Sequence, residues 1–267
     1  MIKGEMTQNM KKKISTNRLL TIGTWLAILM IWFVITKYNL VSAIVVPAPG
    51  DVFRTFIDIL KNGYNGTSLW VHLGTSFYRL FVASLLAIIT AVPLGLLSGY
   101  FEKTRAIVDS IVQFYRPLPP LAYYVVLILW LGIGESSKVT LLYLAAFAPI
   151  YVACVSAVTN INQDYILSAK SLGANQRNVF FYIVLPACLP EIFTSIRTAV
   201  GVAYTTLVSA EMVAATSGIG WMVIDASRYL KSTVIFVGII IMGISGLLID
   251  LALRKLEDKF VYWKGYQ

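Results

Sequence analysis

The sequence predicts an all-α membrane protein of six transmembrane helices with both termini on the cytoplasmic side. Of its 267 residues 58% are hydrophobic and only 13% charged, with a mean hydropathy of +0.74. A soluble domain is about half apolar and about a quarter charged, so lipid is the expected solvent here. Runs of roughly 17–25 mostly apolar residues, the length needed to span a bilayer, recur along the chain. Finally, 15 of the 22 lysines and arginines fall in the segments that face the cytoplasm if the N-terminus is inside, which sets the orientation. The net charge of +9 does not gather into one patch, and this argues against a nucleic-acid partner.

Lys3, Lys11, Lys12, Lys13 and Arg18 precede the first run. Residues 1–18 are therefore expected to form a cytoplasmic tail, and 19–267 one transmembrane domain. The run Leu19–Thr36 is long enough to span, and no small-residue cleavage site follows, so it reads as a retained helix. The other runs are Phe77–Gly99, Leu118–Ile133, Val139–Val158, Ile192–Ala215 and Thr233–Leu253. The third is the shortest and relies on its proline-rich entrance, Arg116-Pro117-Leu118-Pro119-Pro120, because the first turn of a helix tolerates proline. Between the first two runs, Val52, Phe53, Phe56, Ile57 and Leu60 repeat at helical spacing. They predict a short interfacial helix over Asp51–Leu60, with Asp51 as its N-cap.

Ala83, Ala87, Ala91, Gly95 and Gly99 recur every four residues in the second run, and Gly243 and Gly246 occupy the last. Small residues at this spacing let a neighbouring helix approach closely in lipid. Cys154 and Cys188 match no metal or redox spacing and read as packing residues. His72 is the only histidine and reads as a solvated residue at the outer interface. No metal site is expected.

The connection at about 159–191 is the most informative stretch. A helix over Asp164–Leu172, a turn at Gly173 and a second helix are expected, since glycine takes a positive φ at little cost. Pro186 is expected to mark a corner before the fifth span. In the resulting knob Leu167, Leu172, Val179 and Phe180 supply apolar contact, with Lys170 and Arg177 at a wetter rim. Ala169, Gly173, Ile183, Leu185 and Pro186 stand at the spacings of the pattern EAA, three residues, G, nine residues, I, one residue, LP. Leu167 and Ser168 replace its first two positions, while the turn at Gly173-Ala174 is kept.

On this pattern the chain resembles the permease subunits of binding-protein-dependent ABC importers. Within them it resembles the nitrate/sulfonate/taurine branch, taurine importers above all. The resemblance extends over roughly residues 40–267. It includes Tyr115–Ala122, Leu131–Lys138, Tyr143–Pro149, Ser171–Ala174 and Ala210–Thr216. It implies a type I importer bundle in the bacterial cytoplasmic membrane, in which the knob docks on an ATPase. The implied assembly is a homodimer of permeases in lipid, two cytoplasmic ABC ATPase subunits and an extracytoplasmic substrate-binding protein. The implied function is import of taurine or a related sulfonate by alternating access. Nitrate, alkanesulfonates or a vitamin precursor are the alternative cargoes. An ion-coupled secondary transporter is a weaker reading, as neither an inverted repeat nor several buried charges are evident.

The chain has no G-x-x-x-x-G-K-[ST] loop and no convergent His, Cys or paired acids. It is therefore expected to be no enzyme and to bind no cofactor, with ATP and Mg used by the partner. Charges within a span cost about 2.5–3.5 kcal/mol by insertion scales and usually face the bundle interior or a watery cavity. Glu211 is accordingly a candidate for lining the passage or for holding an outer gate closed. Arg197 is expected to reach headgroups or the passage, and Asp250 and Arg254 to pair across one helical turn. Thr205, Thr206 and Ser209 are further candidates for a polar path.

Overall fold

The computed structural model describes residues 2–262, with side chains from Leu19 onward. The side chains of Lys3, Lys11, Lys12, Lys13, Arg18 and Lys264 lie outside the described residues. The described chain is helical throughout. α1 (Ile2–Lys37) is followed by α2 (Pro49–Asn62), α3 (Leu69–Tyr100), α4 (Glu102–Tyr115) and α5 (Pro120–Leu131). α6 (Glu135–Thr159), α7 (Gln163–Ser171), α8 (Gln176–Val179), a π turn (Phe180–Val184) and α9 (Leu185–Ala214) come next, then α10 (Ile219–Arg228) and α11 (Ser232–Phe260). Five helical stretches are long and apolar enough to cross a membrane, and α4 with α5 makes a sixth if that bent pair is one span.

Several boundaries differ from the expected ones for identifiable reasons. α2 starts at Pro49 with Ala48 as its uncapped N-terminal neighbour, and Asp51 sits in its first turn instead of capping it. Proline is favoured there because its missing N–H costs no bond. α3 begins eight residues earlier than the second apolar run, at a cap where Ser68 Oγ accepts from the Trp70 N–H at 3.3 Å. This earlier start takes His72 and Ser76 into the same helix as Arg79. The third expected span corresponds to α5 and is preceded by a helix that was not expected, α4, which meets it at 101°. The three prolines at 117, 119 and 120 explain the bend, since residues preceding proline avoid helical backbone.

α3 packs most extensively on α6, and α6 on α9. Ala83, Ala87 and Ala91 are fully buried along the α3 stripe. A Cβ on Gly95 would stand 2.5 Å from Cys154 Cβ and 2.8 Å from the Tyr151 carbonyl, and one on Gly99 2.6 Å from Val158 Cβ. The small-residue repeat therefore serves close contact with α6. Of the two glycines in α11, Gly246 lies against the Tyr204 ring, but a Cβ on Gly243 would meet nothing within 4 Å. Cys154 and Cys188 are free and buried. A second, smaller core joins α2, α10 and α11. α1 touches it through Trp32, which donates to the Pro47 carbonyl at 3.0 Å and stacks on Phe236 at 5.7 Å. None of Leu19–Lys37 is buried, so this helix leaves its surface to lipid or another chain.

Replacing Gly95 with Val should destabilise the bundle by about 1–3 kcal/mol through overpacking, while Gly74→Ala, where a Cβ meets nothing within 4 Å, should be nearly silent. Thermal unfolding of the two variants in detergent measures the difference; equal midpoints would contradict the packing account.

Candidate functional sites

Two places in the bundle carry unusual chemistry, one at each end. The first is the hairpin between α6 and α9. Asn162 caps α7 by accepting from the Asp164 N–H at 2.9 Å, so the helix begins one residue before the expected Asp164. At its other end Gly173 has φ +85°. The Ala174 N–H donates to the Ala169 carbonyl at 3.0 Å and the Gly173 N–H to the Lys170 carbonyl at 2.9 Å. This double closure is the Schellman arrangement, which satisfies the last carbonyls of a helix and needs a left-handed residue at this position. Asn175 then caps α8 through the Asn178 N–H at 2.8 Å.

The hairpin sorts its expected apolar residues into two groups. Leu167 and Leu172 are exposed, Leu172 to 89%, whereas Val179 is fully buried. Phe180 packs edge-on against Tyr100 at 6.2 Å. Val179 and Phe180 thus anchor the hairpin to its own bundle and are not available to a partner, contrary to expectation. Ala169 and Ala174 also pack inward, while Ser168, Lys170 and Arg177 are exposed. Pro186 makes no corner. The helix runs without a break from Gln176 to Ala214, and the missing N–H of Pro186 is accommodated by the adjoining π turn, where the Leu185 N–H reaches the Phe180 carbonyl. Such a wide turn is a usual way for a helix to absorb an extra residue. Ile183 and Leu185 are half-buried on this segment.

The second place is centred on Arg79, at the opposite end of α9. Arg79 is only 1% exposed. It binds Glu135, at the first turn of α6, with Nε to Oε2 and Nη2 to Oε1, both 2.6 Å. Its Nη1 donates to Glu211 Oε1 at 2.7 Å and to the Ser217 carbonyl at 2.8 Å. Lys138 Nζ lies 3.3 Å from Glu135 Oε1, so two cations balance two carboxylates. Glu211 is equally buried and also accepts from Ser76 Oγ at 2.7 Å and the Gly220 N–H at 2.9 Å.

The same cluster holds the start of α10. Three successive N–H groups with no partner inside the helix are met by side chains: Gly218 by His72 Nδ1 and Ile219 by Ser76 Oγ, both at 3.1 Å, and Gly220 by Glu211. The carboxylate also sits at the positive end of the α10 dipole. A Cβ on Gly218 would collide with the Glu211 carboxyl. His72 is therefore no solvated residue: it is fully buried and stacked on Trp221 at 5.5 Å. Beside it Tyr64 donates to Asp225 Oδ2 at 2.9 Å, and burial with that carboxylate pushes its phenol pKa upward.

The remaining candidates scatter. Arg197 is not an isolated charge: it pairs with Asp250 and Glu257, each at 3.2 Å, and ties α9 to α11. Asp250 also holds Arg254 at 3.2 Å, the expected one-turn pair. Thr205 and Ser209 share the more open face of α9 and bond back to Val202 and Thr205 carbonyls. Thr206 is buried and bonds the Val202 carbonyl at 2.9 Å, so it lies on the other side of that helix. Sequence reasoning missed the partnership of Arg79, Glu135 and Glu211. The signal was present: Arg79 lies inside the second apolar run, and a charge there requires a partner.

Residues 91–262 match the family described as "Binding-protein-dependent transport system inner membrane component". The chain belongs to this family. The permease is 38% identical over 247 residues to the taurine transport system permease protein TauC of Escherichia coli, covering 92% of this chain and 90% of that one. It is 34% identical to the putative aliphatic sulfonates transport permease protein SsuC of Bacillus subtilis, covering 89% and 85%. With the nitrate import permease protein NrtB of Synechocystis it shares 30% over 80% of each chain. An inward-facing structure of the MetNI methionine ABC transporter superposes with a TM-score of 0.62 at 19% identity, covering 72% of this chain and 96% of that one. The fold is thus that of an ABC importer permease, and the family is a membrane transport component, not an ATPase.

Arg79→Met should cost about 3–5 kcal/mol, because it strands the Glu211 carboxylate in the interior, and the double variant Arg79→Met/Glu211→Met should regain part of the loss. Unfolding midpoints of the purified single and double variants test this; a single variant as stable as the parent would refute it.

Proposed function

We propose that the permease carries taurine or a related sulfonate across the bacterial inner membrane by alternating access, driven by a separate ABC ATPase. The hairpin of α7 and α8 carries this reading. In it the exposed Leu167 and Leu172 lead into a turn closed by the left-handed Gly173, and the second arm of the hairpin runs without interruption into a membrane-crossing helix. In this reading it lies in the cytoplasm, as do both termini. Lys103, Arg105, Lys170, Arg177, Arg254, Lys255 and Lys259 gather at this end of the bundle, consistent with the positive-inside rule.

The assembly is a homodimer of permeases embedded in lipid, two ATPase subunits beneath it, and a substrate-binding protein on the outer face. ATP and Mg bind the ATPase, and no cofactor binds the permease. ATP binding favours one arrangement of the complex, and differential affinity is the only way it can shift that equilibrium. The ATPase moves Leu167, Leu172 and Gly173, and α9 carries the displacement to its Glu211 end. There Arg79 keeps the outer ends of α3, α6 and α10 fastened to α9, so the passage opens between the two permeases. Thr205 and Ser209 line it. The likeness to taurine and sulfonate permeases supports the cargo, while nitrate and alkanesulfonates remain the competing solutes to be assayed beside taurine.

In proteoliposomes containing the permease, its ATPase and its binding protein, Gly173→Val should abolish solute-stimulated ATP hydrolysis and uptake. A Cβ at Gly173 meets nothing, so the damage would come from backbone strain alone. Gly173→Asn, which tolerates a left-handed conformation, should keep more activity. Full coupling in Gly173→Val would defeat the proposal.

A further inference from the structure

α4 has three kinds of side. Val112 is buried, and Val108 and Tyr115 pack beside it on the bundle core. Ile107, Ile111 and Phe114 recur at helical spacing and stand open, Phe114 to 75%, as a lipid-facing side does. Asp109, Gln113 and Arg116 form a third side between these two, since steps of about 100° per residue bring them within about 60° of one another. Asp109 is already held, by Tyr151 Oη at 2.7 Å and by Arg105 Nε at 3.3 Å. Gln113 and Arg116 are exposed, and the Arg116 guanidinium has no hydrogen bond or ion pair among the described residues. This side reaches deep into the membrane. α4 leaves the hairpin end of α3 and its 14 residues rise about 21 Å, in a hydrocarbon core about 30 Å thick. Tyr115 Oη donates at 3.4 Å to the carbonyl of Leu144, the tenth of the 25 residues of α6, which gives the same depth.

We infer that Arg116 faces the watery passage at mid-membrane and receives the sulfonate group of the solute on its way through. The inference rests on the sulfonate-import reading. A guanidinium at this depth is costly against hydrocarbon, so an open one turns to water and marks a solute path. The open apolar residues of α4 lie on a different side, which leaves Arg116 and Gln113 for the water. α5, starting at Pro120, packs on α9 near Ala210, so the corner at Arg116 is one short helix away from the open face with Thr205 and Ser209. Arginine suits this task because its planar fork donates two parallel bonds to an oxyanion, and it stays charged. The position also keeps the bond transient. No second cation of α4 shares this depth, since Arg105 is engaged with Asp109 eleven residues earlier, and a single guanidinium in water releases an anion readily. A phospholipid phosphate is the other source of the same chemistry, but phosphates lie outside the hydrocarbon core.

Two measurements on the assembled permease and ATPase in proteoliposomes test this. In the first, Gln113→Cys is labelled with 2-sulfonatoethyl methanethiosulfonate and with its trimethylammonium counterpart; the parent, whose two cysteines are free and buried, is the blank. Gln113→Cys should react much faster than Ile111→Cys on the apolar side. Adding Arg116→Gln should lower its anion-to-cation rate ratio about tenfold, the effect of one charge about 7 Å away on reagents of opposite sign in water. In the second, with the binding protein present, Arg116→Gln should cut taurine uptake at least about tenfold and Arg116→Lys less, while both still co-purify with the ATPase. Equal labelling at positions 111 and 113, or a rate ratio that ignores Arg116, would place the guanidinium in lipid and overturn the inference. So would uptake by Arg116→Gln within about twofold of the parent, or loss of its assembly with the ATPase, which would make the residue structural. If the parent imports no sulfonate at all, the functional reading fails, and the labelling ratio still decides whether Arg116 faces water.

Discussion

A guanidinium buried between two carboxylates organises one whole end of this molecule. Arg79 uses its fork on Glu135 and its remaining edge on Glu211 and the Ser217 carbonyl. Each carboxylate belongs to a different helix, so one side chain joins α3, α6, α9 and the loop that starts α10. The geometry is bidentate at Glu135, where an arginine matches a carboxylate best. Glu211 could not remain buried on Arg79 alone. It also accepts from Ser76 Oγ and from the Gly220 N–H at the start of α10, and that amide needs an acceptor as much as the carboxylate needs donors. Removing any member leaves another unsatisfied, and this accounts for the tight fit of Gly218 and Gly220 around the carboxyl group.

The other end is built on the opposite plan. The hairpin satisfies its own backbone through two asparagine caps and the Gly173 closure, and it needs few contacts with the bundle. Its outer surface keeps apolar groups in the open. One end thus spends its polar chemistry on internal cohesion, and the other is self-contained and offers its surface outward. Between them Arg197, with Asp250 and Glu257, binds α9 to α11, so α9 is attached along its length rather than free to slide alone.

Much of the architecture was legible because lipid imposes simple rules. Long apolar runs gave the spans, and the alanine–glycine repeat gave the closest helix contact. The Gly173 turn followed from its flanking residues and spacing. What escaped the sequence were features set by partners distant in the chain. Nothing near Arg79 names Glu135 or Glu211, 56 and 132 residues away. His72 looked solvated because it stands ahead of the second apolar run, at the outer interface, yet the helix begins before it and the α10 loop covers it. The prolines at 117–120 marked the entrance to a span but not the helix α4 that meets it there at 101°, and Pro186 suggested a corner where a wide turn lets the helix continue. α10, only ten residues long, carried too short a pattern to stand out beside the spans.

That wide turn has a geometric consequence for recognition. Each residue of an α-helix advances the azimuth by about 100°, so one residue absorbed at Phe180–Val184 puts the two flanking stretches out of phase by roughly that angle. Side chains that seem to share a stripe across it, read by ordinary helical spacing, point to different quadrants. The bulge therefore fixes the compass bearing at which the knob leaves the bilayer, separately from the sequence of the knob itself. Two relatives with identical knobs but a different residue count in this short stretch would present them to different neighbours.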